Sequence, residues 1–217
     1  MWVSNAVERD ETIDEIVAAA GAKLRMVSPE SLRATAQTDA PQGVLARAEP
    51  LRAADLDGLL ADPRAFLVAL DGVTDPRNLG AIVRAAETAG VTGIVMPKHR
   101  SAPVSATAAK TAAGAIEHVP IALVGGIPAA LERAKRAEVW CIGLDGDGEQ
   151  TLTDVPFATD PLVLVLGAEG RGLAALTKKR CDALVRIPMR GTLASLNVAT
   201  AAAVACHEIA RLRSAVR

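Results

Sequence analysis

The chain has 217 residues, enough for one complete hydrophobic core and a small appended unit. Half of the residues are hydrophobic and 23% are charged, which excludes a disordered chain, and no apolar run reaches the ~18 residues of a membrane span. A net charge of −1 excludes a uniformly basic nucleic-acid binder, so any such contact has to come from a local patch.

In chain order, residues 1–48 read as a small α/β unit. Trp2–Ser4 is a predicted strand, Glu11–Ala20 a helix stopped by Gly21, and Leu24–Val27 a second strand. Ser28-Pro29-Glu30 opens another helix and Gly43–Ala48 forms a third strand. An α/β unit normally has an element ahead of its first strand. The order therefore predicts a front domain that starts part-way through, with an open sheet edge and exposed apolar side chains in residues 1–48. Residues 49–64, with Pro50, Pro63 and several acids, read as a linker.

Residues 65–217 form the main domain. The run Phe66-Leu-Val-Ala-Leu suits a strand buried on both faces. Further strands are predicted at Gly93–Met96, Val119–Leu123, Val139–Leu144, Leu162–Leu166 and Leu184–Ile187. Helices are predicted near Leu79–Ala89, Val104–Ala113, Ile127–Ala137 and Leu173–Cys181, with a long last helix from Leu196. This alternation predicts an α/β fold around a mostly parallel sheet.

Three loops of this domain carry chemistry. The first runs from Asp71 to Arg84 through a tight turn into a helix. Gly80 and Arg84 are one turn apart, and helical side chains lean toward the N-terminus. Arg84 is therefore expected to lie back over bare Gly80 toward the helix start, an anion site. The plainer reading makes Asn78 the N-cap and Arg84 a surface cation. The second loop, Gly167-Ala-Glu169-Gly170-Arg-Gly172, follows a buried strand, where α/β folds bind nucleotides. Its glycine spacing is not that of a dinucleotide site, and it lacks the Lys-Ser/Thr of a phosphate loop. A carboxylate among the glycines suits a cation such as a sulfonium, though the stretch also reads as a plain tight turn. In the third loop, Ile187 to Val198, Ser195 reads as an N-cap, which leaves Asn197 unexplained near the start of an apolar helix.

The segment Arg171–Arg190 holds six Arg or Lys residues against one acid, Asp182, and reads as a phosphate-binding patch or a solvated face. With 2% aromatics and no tyrosine, base-stacking platforms are scarce. Cys141, Cys181 and Cys206 have no paired or zinc-like spacing with one another or with the histidines. They read as structural thiols of a cytoplasmic protein, with no metal.

Together, Asp75-Pro-Arg-Asn-Leu-Gly…Arg84, Leu166-Gly-Ala-Glu-Gly-Arg-Gly-Leu and Ile187-Pro-Met…Ser195-Leu-Asn-Val resemble the three motifs of the SpoU (TrmH-like) branch of SPOUT RNA methyltransferases. The resemblance spans roughly Phe66 to Arg213. It is nearest to enzymes that methylate guanosine 2′-hydroxyls of large-subunit ribosomal RNA, whose RNA-binding front domain residues 1–48 resemble. The pattern departs at Ala112 and Ala199, where relatives often carry serine.

What the resemblance implies is a parallel α/β sheet with a C-terminal deep trefoil knot, a homodimer, and S-adenosylmethionine as cofactor. The implied reaction is methyl transfer to a ribose 2′-hydroxyl in structured RNA, with 23S ribosomal RNA favoured over transfer RNA. By the same likeness, Gly167, Ile187, Met189 and Leu196 hold the cofactor, and Arg84, Asn78, Glu169, Ser195 and Asn197 form the catalytic set. Two rival readings stay open. One is a non-catalytic RNA-binding relative, which would tolerate loss of Arg84 and Asn197. The other is a nucleotide-dependent enzyme of the dinucleotide-binding type, which would need a different glycine spacing.

Overall fold

The computed structural model describes residues 1–7, 11–21, 23–36, 41–155 and 157–215, and the chain divides into two compact units, Met1–Leu51 and Arg52–Arg217.

The first unit contains β1 (Trp2–Ser4), α1 (Glu11–Ala19), β2 (Arg25–Val27), α2 (Pro29–Thr35) and β3 (Val44–Leu45). Its sheet has the order β2-β1-β3, with β1 parallel to β2 and antiparallel to β3. Ser28 caps α2 by accepting the Ser31 N–H, and Pro29 takes the first turn, where its missing N–H does no harm. The third strand is shorter than Gly43–Ala48. Gly43 sits at φ +80°, a left-handed turn that delays the strand to Val44. Val3, Ile13 and Leu32 are buried apolar side chains of this unit, while Ile16, Met26 and Val44 are exposed ones.

The second unit begins with α3 (Leu56–Leu60), inside the stretch read as linker. Asp55 caps this helix through the Gly58 N–H, and Leu56 and Leu60 are buried, so residues 52–64 belong to the folded unit. One turn of helix is too short to show a period in sequence, which is why its acids and proline read as connector. There follow β4 (Phe66–Asp71), α4 (Pro76–Thr88), β5 (Gly93–Pro97), α5 (Ala106–Ala112), β6 (Ile121–Val124), α6 (Ile127–Arg136) and β7 (Trp140–Leu144). The chain closes with β8 (Gln150–Thr151), β9 (Leu162–Gly167), α7 (Ala175–Arg180), β10 (Ala183–Arg186) and α8 (Val198–Ser214).

Seven strands form one sheet in the order β6-β5-β4-β9-β7-β10-β8, every pair parallel. β4 and β9 lie at its centre, paired along six residues each from Phe66↔Leu162 to Asp71↔Gly167. Their continuous apolar runs follow from burial on both faces. Phe66, Val68 and Leu70 point to one face, against Leu79, Ile82, Val83 and Ala86 of α4 and Ala202, Cys206 and Ile209 of α8. Leu67, Ala69, Val163 and Val165 point to the other, against Leu56, Leu60 and the Ile127, Leu131 and Ala134 stripe of α6. The two-residue β8 had no sequence signal. It pairs with β10, not with its chain neighbour β7, so the late strand lies between two earlier ones.

Arg213, near the end of α8, fastens that helix to the base of the sheet. Its guanidinium donates to the carbonyls of Arg64, Ala65, Ala158 and Asp160 and lies 4.8 Å over the Phe66 ring. Burial lowers its pKa below the ordinary arginine value, yet the group stays charged.

Candidate active site

The C-terminal ends of β4, β7, β9 and β10 converge on one rim of the sheet, the edge where open α/β folds bind ligands. β9 runs into the glycine turn. Ala168 and Gly172 pair as an antiparallel bridge, and Gly170 and Gly172 take φ +72° and +66°. A Cβ on Gly167 would stand 2.2 Å from the backbone carbon of Gly172, so the turn can fold back on itself only with bare backbone there. Asp71, at the end of β4, accepts the Ala174 N–H at 3.0 Å and fixes the exit of the turn.

On the first loop, Asp75 caps α4 by accepting the Arg77 N–H at 2.8 Å. The plainer reading of Asn78 as cap is therefore corrected, and its amide is left free to reach across to the glycine turn. On the third loop the cap of α8 is Asn197, not Ser195. Asn197 Oδ1 accepts the N–H groups of Ala199 at 2.8 Å and Thr200 at 3.4 Å. A residue poor inside helices is suited to this position, which accounts for its place in the sequence.

These side chains meet in a three-membered network. Asn78 Nδ2 donates to Glu169 Oε1 at 2.8 Å, while Asn197 Nδ2 donates to the same oxygen at 2.6 Å and to Asn78 Oδ1 at 3.1 Å. Residues 91 and 119 positions apart are thus joined through one carboxylate oxygen. Among the described residues Glu169 Oε2 and Ser195 Oγ have no protein partner, so both are open to a ligand.

Beside the network lies a cleft of about 760 Å³. Gly167, Ile187, Met189 and Leu196 all border it, as do Glu169, Ser195 and Asn197. Asn78 joins through its hydrogen bonds. Arg84 does not border the cleft. It sits six residues beyond Asn78 on α4, about 9 Å of helical rise, exposed and with no hydrogen bond or ion pair to its guanidinium among the described residues. The lane expected over Gly80 is also closed. A Cβ there would come within 2.4 Å of the Ala108 carbonyl, so the glycine serves the close approach of α4 and α5.

Sequence reasoning missed the wall formed by Leu144, Asp145 and Gly146, at the end of β7. Only strand pairing brings it beside the other loops. The cleft has bare backbone on one side, apolar side chains on another, and the carboxylates of Asp145 and Glu169 at its border. Asp145 is neutralised by Lys178, and Arg186 also borders the cleft, so Glu169 is the carboxylate left to face a ligand; bare backbone, apolar walls and one open carboxylate fit a nucleoside ligand that carries a positive charge.

The basic segment divides in two. Lys178 pairs with Asp145, Arg180 with Glu132, and Arg186 donates to the carbonyls of Gly148 and Glu149. Arg171, Lys179 and Arg190 are exposed with no such partner among the described residues. Cys141 and Cys206 are buried and Cys181 is partly so; burial pushes all three thiols up to about 12, so they are inert packing groups at neutral pH. Among the described residues no group of His, Cys, Asp and Glu could hold a metal ion, and no helix is long and apolar enough to cross a membrane.

Comparison with known proteins agrees with this geometry. Residues 65–207 match the model of the SpoU rRNA Methylase family. The chain is 44% identical over 203 residues to the 23S rRNA (guanosine-2′-O-)-methyltransferase RlmB of Ralstonia nicotianae, covering 91% of this chain and 80% of that protein. It is 43% identical over 177 residues to the protein of the same name from Escherichia coli, covering 80% and 72%. Among solved structures, the AdoMet-bound rRNA methyltransferase of Sinorhizobium meliloti superposes with a TM-score of 0.77 at 27% identity, over 93% of this chain and 77% of that one. The SpoU methyltransferase AviRb of Streptomyces viridochromogenes shares the fold, with a TM-score of 0.80 at 24% identity over 99% and 82%. With its three loops gathered at one rim, this chain belongs to the SpoU rRNA methylase family.

Proposed function

We propose that this chain transfers a methyl group from S-adenosylmethionine to a ribose 2′-hydroxyl of structured RNA, with a guanosine of 23S ribosomal RNA as substrate. The observation that carries the reading is the Asn78–Glu169–Asn197 network at the mouth of a cleft bordered by Gly167, Ile187, Met189 and Leu196. The relatives' names supply the RNA.

Gly167, Ile187, Met189 and Leu196 hold the cofactor, which supplies an electrophilic methyl group on a sulfonium. The glycine turn lets backbone approach closely where a side chain would block it. Asn197 has its oxygen committed to capping α8 and its nitrogen to Glu169 and Asn78, so it orients the carboxylate and does not itself grip the ribose. Glu169 Oε2 and Ser195 Oγ are the groups left to position the 2′-hydroxyl. Arg84 is a permanent cation with no lone pair to accept a proton and stands outside the cleft, so it acts as a clamp on the phosphate next to the reacting ribose. The proton leaves to phosphate or solvent.

The same reading includes a trefoil knot at the C-terminal end, supported by the insertion of β10 between β7 and β8. It includes a homodimer, supported by the exposed apolar side chains of Leu193 and Val204. It assigns residues 1–48 to RNA reading and 65–217 to catalysis, in the cytoplasm, where free thiols persist.

Incubation with labelled S-adenosylmethionine and unmodified 23S or transfer RNA, followed by mapping of the methyl group, tests the proposal. A 2′-O-methylguanosine in 23S RNA is expected. Label in transfer RNA alone would overturn the substrate, and label in neither would overturn the activity.

A further inference from the structure

Two adjacent lysines of the basic segment face different surroundings. Lys179 is exposed, with no hydrogen bond or ion pair among the described residues. Lys178 places Nζ 2.7 Å from Asp145 Oδ2, whose side chain is only 5% exposed.

Asp145 borders the cleft and organises it. Its Oδ1 accepts the Asp147 N–H at 3.1 Å and its backbone carbonyl accepts the Gly148 N–H at 3.0 Å, so this one residue shapes the turn 145–148. A Cβ on Gly172 would stand 3.5 Å from Oδ2, which puts the ion pair against the glycine turn. Lys178 sits on α7, the helix that follows that turn. The far end of the 145–149 loop is held as well, by Arg186 donating to Gly148 and Glu149. The loop after β7 is therefore tied to the segment 172–186 at both ends. A carboxylate this buried needs its counter-ion, and a cation fixed on α7 sets the distance between two walls of the cleft.

We infer that the Asp145–Lys178 ion pair is a positioning element that sets the width of the cofactor cleft, so that Lys178 serves the cofactor while Lys179 serves RNA. This rests on the methyltransferase reading. The test is calorimetric binding of S-adenosylmethionine to the full chain, with RNA affinity against salt and thermal unfolding measured in parallel. Lys178→Met is expected to weaken cofactor binding about tenfold and raise its KM, with the RNA salt slope unchanged. Lys178→Arg should restore affinity to within a few-fold. Lys179→Met should do the reverse, leaving cofactor affinity intact and flattening the salt slope by ~0.7. Should Lys178→Met not fold, Asp145→Asn decides. It keeps the shape and the acceptor for Asp147 while removing the charge, and wild-type cofactor affinity in it overturns the inference. A lowered Tm with unchanged cofactor affinity also overturns it, by showing a purely structural pair. Failure of the wild-type chain to bind S-adenosylmethionine would strike the methyltransferase reading itself. Equal affinity in wild type and Lys178→Met strikes only the positioning role.

Discussion

Asn197 carries two separable duties, and one substitution can divide them. Its oxygen caps α8, while its nitrogen holds Glu169 and Asn78. Serine caps a helix about as well as asparagine but has no amide to reach the carboxylate, so Asn197→Ser keeps the first duty and deletes the second. Stability should fall by about 1.5 kcal/mol, the worth of the deleted bond to the carboxylate, or roughly 3–6 °C in Tm for a chain of this size. Asn197→Ala loses the cap too and should cost about 1 kcal/mol more. The lost hydrogen bond to a charged oxygen is worth about 1.5 kcal/mol at an exposed position, and mis-set orientation of Glu169 comes on top. Each 1.36 kcal/mol in the barrier is tenfold in rate, so kcat for Asn197→Ser should drop roughly 10- to 100-fold. Thermal unfolding and steady-state methyl transfer on one RNA substrate provide both readouts. Wild-type kcat in Asn197→Ser would remove the network from catalysis. Equal Tm values for the serine and alanine variants would remove the cap.

Arg84→Ala should abolish methyl transfer and leave S-adenosylmethionine affinity within a few-fold, because Arg84 stands outside the cleft; Arg84→Lys should fail as well, lacking the planar fork. Wild-type turnover in either variant would refute the clamp. Three of the six basic side chains between Arg171 and Arg190 are bound within the protein. This segment should therefore contribute a log–log salt slope of about −2, at ~0.7 per contact for single strands, where six free cations would give about −4. Comparing the slope before and after neutralising Arg171, Lys179 and Arg190 together measures it, and an unchanged slope would show that the patch does not touch phosphate. The thiols give a pH prediction. Their folded pKa values, pushed up to about 12, lie above the unfolded value, so their neutral state adds stability that is complete below roughly pH 8.5 and lost as pH rises toward 12. The urea midpoint should fall over that window, and a thiol reagent at about pH 8, near the ordinary thiol value, should label Cys141 and Cys206 only after unfolding. Rapid labelling of either in the native protein would contradict the burial.

The central strands were legible in the sequence because burial on both faces leaves an unbroken apolar run, as in Phe66–Leu70 and Leu162–Leu166. The glycine turn was legible too, since backbone crowding at Gly167 leaves a mark in composition. What stayed hidden depended on distant partners. Ser195 offers the same capping chemistry two residues before Asn197, and only the start of α8 decides between them. Helical spacing pairs Gly80 with Arg84 on the same helix, whereas the bare backbone there serves the approach of α5. Lys178, Arg180 and Arg186 looked like free charge, since their partners Glu132, Asp145, Gly148 and Glu149 lie 33 to 48 positions away in the chain.

The strand order also dictates a timetable. β4 gains β5 early, but its other neighbour, β9, is not complete until Gly167 has been made. β8 waits longer still: it is synthesised before β9, yet its ladder partner ends at Arg186. A chain emerging from the ribosome therefore carries β4 with one bare edge for about 90 residues, several seconds at ordinary synthesis rates. During that interval the nascent protein exposes the edge of an almost wholly apolar strand to any chaperone or any identical chain on a neighbouring ribosome. The centre of the finished sheet is thus the part most in need of protection while it is being built.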